Sequence, residues 1–276
     1  MDANEITFGI EIETHVPAGS VAVGGYSCAE DVLWLPLGWT AKSDSSIRPS
    51  RGRQGCEFVS PKLKGADGIR SVVDAVRQLN THGARVNDST GLHVHIGWTG
   101  DAPALARLVT LVANHEKAIF ASTGTKKRER SHYCQPIQQY GSAATAAGAS
   151  RNYRYHVLNL NNLATGLRPT VEFRAFAGTL NITKILGAIR LCIALVERAM
   201  TTKRVTKFVA KKPVATSPIH RSGEGQTELT RLYYQLGWTK GRQSHTYGDV
   251  TADGAPTLLK IKRQLMALAR KYDAQT

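Results

Sequence analysis

The stretch FGIEIETHV, residues 8–16, constrains the fold more than any other part of the chain. Phe8, Ile10 and Ile12 recur at every second position, which is the pattern of a strand with one face in a packed sheet. Glu11 and Glu13 then project together from the other face. On a solvated surface such a pair means little. On the concave side of a curved sheet, two like charges so close must be held by a cation.

Further segments of both periods follow. GWTAKSDSSI (38–47), GCEFVSPKL (55–63), GLHVHIGW (91–98), HVLNLNNL (156–163) and TVEFRAF (170–176) read as strands. Residues 65–83 carry Ile69, Val72, Val73, Val76 and Leu79 at helical spacing, with Gly83 as the stop. Amphipathic helices are also expected over 101–121, 182–200, 226–237 and 255–272. Residues 122–154 are basic, tyrosine-studded and without a clear period, and read as a long loop. The order implies an α+β fold with helices on one face of the sheet. Three parts are expected: a catalytic domain over 1–202, a basic linker over 203–225 and a helical C-terminal extension over 226–276.

Four polar patterns share a logic. Glu11 and Glu13 lie on one strand face, and Glu57 sits between Cys56 and Phe58. His93 and His95 share a face opposite Val94 and Ile96, and Glu172 and Arg174 share one opposite Val171 and Phe173. Each has an ordinary alternative: a solvated face, or for Glu172 and Arg174 a cross-strand ion pair. Joint occurrence beside large apolar neighbours favours one surface holding carboxylates, imidazoles and a guanidinium. Carboxylate-rich sets suit hard cations such as Mg²⁺ or Mn²⁺, which commonly serve phosphate chemistry.

Charge points the same way. Lys and Arg number 36 against 21 acidic residues, a net +15 that draws polyanions and acidic substrates. No apolar run is long enough to span a membrane, and the acidic N-terminus leads directly into a strand, unlike a secretory signal. Four scattered cysteines without CxxC spacing fit a reducing cytoplasm.

FGIEIET, SDSSI, EFVSPKLKG, GLHVHIG and TVEFRAFAGTLN occur in the order and character of the amidoligase family, over about residues 5–200. That family resembles glutamine synthetase and glutamate–cysteine ligase, the ATP-dependent carboxylate–amine ligases. The resemblance implies a curved, mostly antiparallel sheet forming an incomplete barrel, with two or three Mg²⁺ or Mn²⁺ ions around the ATP phosphates. It implies metal ligation by Glu11, Glu13, Glu57, His93 and Glu172, with His95 beside the nucleotide phosphates. Arg174 resembles the arginine that stabilises the transferring phosphoryl group, and Asp44 the aspartate that deprotonates the incoming amine. Where the family has Asp-Gly-Ser, this chain has Asp44-Ser45-Ser46. Arg151 and Arg154 sit where substrate- or phosphate-binding arginines occur. The segment around Lys126, Lys127, Arg128 and Arg130, with Tyr133, Tyr140, Tyr153 and Tyr155, is the expected nucleotide lid.

The implied reaction joins a carboxylate to an amine, possible substrates including acidic macromolecules. Two alternatives stand beside it. One is a nucleic-acid or polyanion-binding protein on a non-catalytic version of the fold. The other is an ATP-dependent phosphotransferase acting on a guanidino or amino group.

Overall fold

The computed structural model describes residues 2–25, 29–166, 169–203, 207–208, 227–239 and 245–275. The strands are β1 (Thr7–Pro17), β2 (Glu30–Asp31), β3 (Thr40–Lys42), β4 (Arg53–Val59), β5 (Leu63–Lys64), β6 (Gly91–Gly97), β7 (Leu158–Asn159) and β8 (Thr170–Ala177). The helices are α1 (Gly65–Thr81), α2 (Ala102–Ala121), α3 (Ala143–Asn152), α4 (Asn161–Thr165), α5 (Ile182–Thr201), α6 (Glu228–Gln235) and α7 (Leu258–Asp273).

Every pairing between these strands is antiparallel, in the order β2-β3-β4-β1-β6-β8-β7, with β5 added alongside the start of β1. The sheet is open, since β2 and β7 end the path without pairing to each other. The fold is therefore α+β with an antiparallel sheet not closed into a barrel, as expected.

Alternation sorts the two faces. Phe8, Ile10, Ile12, Phe58, Val94, Ile96, Val171 and Phe173 are all buried on the core side, where α1 and α5 pack. Each such side chain contributes roughly 1.5–3 kcal/mol on burial. The helices begin where a side chain can take an unpaired backbone N–H: Asp101 accepts from Ala104 at 2.7 Å, and Asn181 from Lys184 at 3.1 Å. α1 is followed by Gly83, whose φ of +72° is left-handed and closed to most residues. α6 and α7 pack on α2 and α5, and Leu229, Leu232, Ile261, Leu265 and Leu268 join the same core. No helix among the described residues is long and apolar enough to cross a membrane.

Four local expectations need correction, the first being the strand expected over 38–47, which is only Thr40–Lys42 before the chain turns at residues 44–46. The strand expected over 156–163 is only Leu158–Asn159, followed by α4. Asn159 Oδ1 accepts the N–H of Asn161 at 2.9 Å, and that side-chain turn diverts the chain into a helix. The stretch 122–154 is not all loop, because α3 lies inside it. Alanines drive that helix and Ser142 caps it at Thr145, but small side chains leave no visible apolar period. The strand expected over 55–63 is divided into β4 and β5, with Ser60, Pro61 and Lys62 between them. The expected linker, 203–225, lies outside the described residues apart from 203, 207 and 208.

Candidate active site

The register of four central strands builds the site. Glu13 pairs directly with Glu57, Glu11 with His93, and His95 with Glu172. Lys42 pairs with Glu57 on one flank, and Asn159 with Glu172 on the other. Direct partners in an antiparallel pair share a face with Cβ atoms roughly 4.5–5.5 Å apart. One row of polar side chains therefore runs across the sheet, opposite the apolar core.

A bulge refines this row. Between Leu92 and Val94 of β6 lies His93 alone, whereas Phe176 and Phe173 of β8 enclose both Arg174 and Ala175. The extra residue in β8 bends the strand and sets Arg174 against His93, with Nη1 3.4 Å from Nδ1. The apolar spacing 171, 173, 176 is the trace of that bulge in the sequence.

The contacts are dense. His93 Nδ1 lies 3.2 Å from Glu11 and 3.6 Å from Glu172, while its Nε2 lies 3.3 Å from Glu13. His95 Nε2 is 3.3 Å from Glu11. Arg174 pairs with Glu172 and donates to the carbonyl of Tyr133 at 3.2 Å. Asn159 donates to the second oxygen of Glu172 at 2.6 Å, and the N–H of Gly91 to Glu13 at 2.5 Å. Lys42 Nζ is 3.1 Å from Glu57 and 3.8 Å from Glu11. Arg128, also buried, donates to the carbonyl of Arg174 at 2.7 Å. A Cβ on Gly91 would come within 3.2 Å of the Arg128 guanidinium and of His93 Nε2, so the bare glycine lets them approach.

These neighbours split the ionisation of the carboxylates. Burial would raise Glu11, but His95 and His93 outweigh it and hold it well below the usual range. Glu172 is lowered in the same way: burial opposes, and His95, Arg174 and His93 prevail. Glu57 is pushed up to about 9, by burial first and then by Glu11, with Lys42 compensating only in part. His95 is raised, since Glu172 and Glu11 hold its proton against the pull of burial.

Two groups of ligand atoms, Glu11–Glu57–His93 and Glu11–His95–Glu172, each lie within 4.8 Å of one another. Both offer carboxylate oxygens and an imidazole nitrogen, a donor set that fits Mg²⁺ or Mn²⁺. Arg128 Nε is buried without a hydrogen-bond partner among the described residues, and the buried His95 Nε2 has only the carboxylate of Glu11, at 3.3 Å. Such buried polar atoms call for a ligand.

Beside Glu11 and His95 opens a cavity of about 610 Å³, walled by Ile6, Phe8, Pro61, Trp98, Pro169 and Met200. None of residues 124–154 lines it. That segment belongs to the Arg174 end, where Tyr133 and Tyr153 pack edge-on to His132 and Tyr155 lies tilted against it. Arg154 and Arg174 lie over the Tyr155 ring, at 5.6 and 5.7 Å.

Thus the structure brings together Glu11, Glu13, Glu57, His93, His95, Glu172 and Arg174, with Arg128 against them and Arg154 nearby. Three candidates lie apart. Arg130 and Arg151 are exposed and make no side-chain bond to the cluster among the described residues. Asp44 is half-buried, its Oδ1 accepting the N–H of Ser46 at 2.7 Å, and among the described residues it forms no ion pair with the cluster. Lys126 and Lys127 bond Gln275 and Asp88 instead. Lys42, Asn159 and Gly91 were not singled out in the sequence. Alternation in WTAKS and LNLNN was the available signal for the first two.

The chain matches the family model described as "Putative amidoligase enzyme" over residues 4–148 and 139–196. No curated protein matches it. Among solved structures it is similar to a bifunctional glutathione synthetase from Pasteurella multocida, with 11% identity and a TM-score of 0.46. That alignment covers 97% of this chain and 47% of the other, so the chain spans about half its length. It is also similar to GmaS without ligand, with 12% identity, a TM-score of 0.37 and coverage of 97% and 65%. The family match takes in every strand that contributes to the cluster, and the chain belongs to this amidoligase family.

Proposed function

We propose that the protein is an ATP-dependent carboxylate–amine ligase that works through an acyl phosphate. The observation that carries this reading is the convergence of four carboxylates, two imidazoles and two buried guanidiniums on one sheet face. Membership of the amidoligase family supports it.

Glu11, Glu13, Glu57, His93, His95 and Glu172 would hold Mg²⁺ or Mn²⁺, which when bound neutralises phosphate oxygens and makes the phosphorus more electrophilic. The apolar cavity takes the nucleoside, since Trp98 and Pro61 suit a flat base, and its inner end at Glu11 and His95 directs the phosphates to the cluster. The substrate carboxylate enters from the opposite end, toward Arg128 and Arg154, with the tyrosines as its wall. Its oxygen attacks the γ-phosphorus, the bond to the bridging oxygen breaks, and ADP leaves. Arg174 is fixed by Glu172 and the Tyr133 carbonyl, and so presents positive charge to the transferring phosphoryl group without reorganising.

The amine then attacks the acyl carbon and gives up a proton, and phosphate leaves with the electron pair of the broken C–O bond. We assign that proton to Asp44, two residues beyond Lys42. The buried free thiols of Cys56, Cys134 and Cys192 suit a reducing cytoplasm.

The test is to supply ATP, Mg²⁺, a panel of carboxylates and hydroxylamine as the amine. The expected products are a hydroxamate and free phosphate, both reduced about 100-fold or more in Arg174→Met. A stable phosphorylated product with no free phosphate would instead identify a phosphotransferase.

A further inference from the structure

Strand β3 delivers a lysine into the cluster that a site built only for metal would not require. Lys42 is the direct partner of Glu57, and its ammonium lies 3.1 Å from Glu57 Oε2 and 3.8 Å from Glu11 Oε1. Those two carboxylates and His93 form one of the two candidate metal groups. A Mg²⁺ ion would sit roughly 2.0–2.1 Å from the same oxygens. An ammonium that already spans both carboxylates fills the gap the ion would enter, and two cations cannot share it.

The other group, Glu11–His95–Glu172, has no lysine in it. Its nearby cation, Arg174, is buried, tied to the Tyr133 carbonyl, and pairs with Glu172 alone of the three. Lys42 lies at the rim of the site, its side chain 23% exposed, and contacts both carboxylates of its group.

We propose that in the nucleotide-free protein Lys42 is the resident cation of the Glu11–Glu57 corner and competes with a divalent ion for it, so that the group without a lysine, Glu11–His95–Glu172, takes the first, tightly bound ion. This rests on the reading that the cluster binds divalent metal. Lys42 thereby sets metal stoichiometry, a role separate from contact with substrate.

The experiment titrates Mn²⁺ alone into the full chain, without nucleotide, following free Mn²⁺ by electron paramagnetic resonance. Wild type is expected to bind one ion tightly. Lys42→Met, which keeps the length and removes the charge, gains a second site at least about tenfold tighter than any second site of wild type. Lys42→Arg restores one-ion binding. Adding Glu57→Gln to Lys42→Met abolishes the gained site and spares the first. Equal stoichiometry and affinity in wild type and Lys42→Met would overturn the role of Lys42. A gained site that survives Glu57→Gln would overturn its location. Failure of every form to bind Mn²⁺ would overturn the metal reading itself, a result distinct from the other two. Because Lys42 lies at the rim, the variants are expected to keep the wild-type circular dichroism spectrum.

Discussion

Glu57 and Glu172 are each only 4% exposed and belong to the same polar cluster, yet one is raised to about 9 and the other lowered. Burial works against the charge of both. Glu172, on β8, meets Arg174, His95 and His93, and Asn159 takes its second oxygen. Glu57, on β4, meets one partly exposed lysine and the like charge of Glu11. Burial alone therefore does not decide ionisation here. The number and firmness of neighbouring cations does. One end of the cluster is fixed as a buried anion–cation pair, while the other leans on a single lysine that compensates Glu57 only in part.

Breaking the fixed end should have the largest effect. Arg174→Met strands Glu172 as a buried carboxylate without its guanidinium, and stability should fall by roughly 3–5 kcal/mol. Urea denaturation measures this, and a loss under about 1 kcal/mol would mean that the histidines suffice.

The two glutamates should next give pH dependences of opposite sign in chelator-treated protein. Glu172 is lowered from 4.5, so its stabilisation exists above that value and is lost as pH falls through the folded pKa. Glu57 is raised from 4.5 to about 9, so its contribution exists below pH 4.5 and is lost as pH rises through about 9. Glu172→Gln should flatten the acid limb of a stability–pH curve, and Glu57→Gln the limb between 4.5 and 9. Each slope is at most about 1.4 kcal/mol per pH unit. Curves altered on the same limb would erase the contrast.

The smallest effect belongs to a buried glutamate outside the cluster. Glu116 on α2 is pushed up to about 7, by burial first, although it accepts the N–H groups of Ile137 and Gln138. Its contribution is present below pH 4.5 and fades as pH rises through 7. Gln at this position keeps an acceptor for Ile137. Glu116→Gln should flatten thermal stability between those values while shifting it by no more than about 1 kcal/mol. A larger destabilisation at pH 8 would show that the charge itself holds the 136–138 turn.

The sequence made the fixed end easier to read than the labile one. Glu11, Glu13, His93, His95, Glu172 and Arg174 alternate with large buried apolar residues, and period two assigns their face directly. Which strands are neighbours does not follow from alternation. The pairing of Glu13 with Glu57, and of Lys42 with Glu57, is a long-range property of the sheet. Lys42 lies in a three-residue strand at the rim, where a lysine ordinarily reads as solvated. The long basic segment misled in another way: its charge pointed to phosphate. In the folded chain Arg130 is exposed, Lys126 and Lys127 pair elsewhere, and Arg128 alone of these four reaches the cluster.

The central claim is that the cluster is a metal-dependent nucleotide site. Calorimetric titration of ATP into wild type and Glu172→Gln, with Mg²⁺, with Mn²⁺ and with chelator, tests it before any substrate is known. The account predicts binding by wild type that requires the metal and weakens in the variant. ATP binding equal in chelator and in metal, or unchanged by Glu172→Gln, would contradict it.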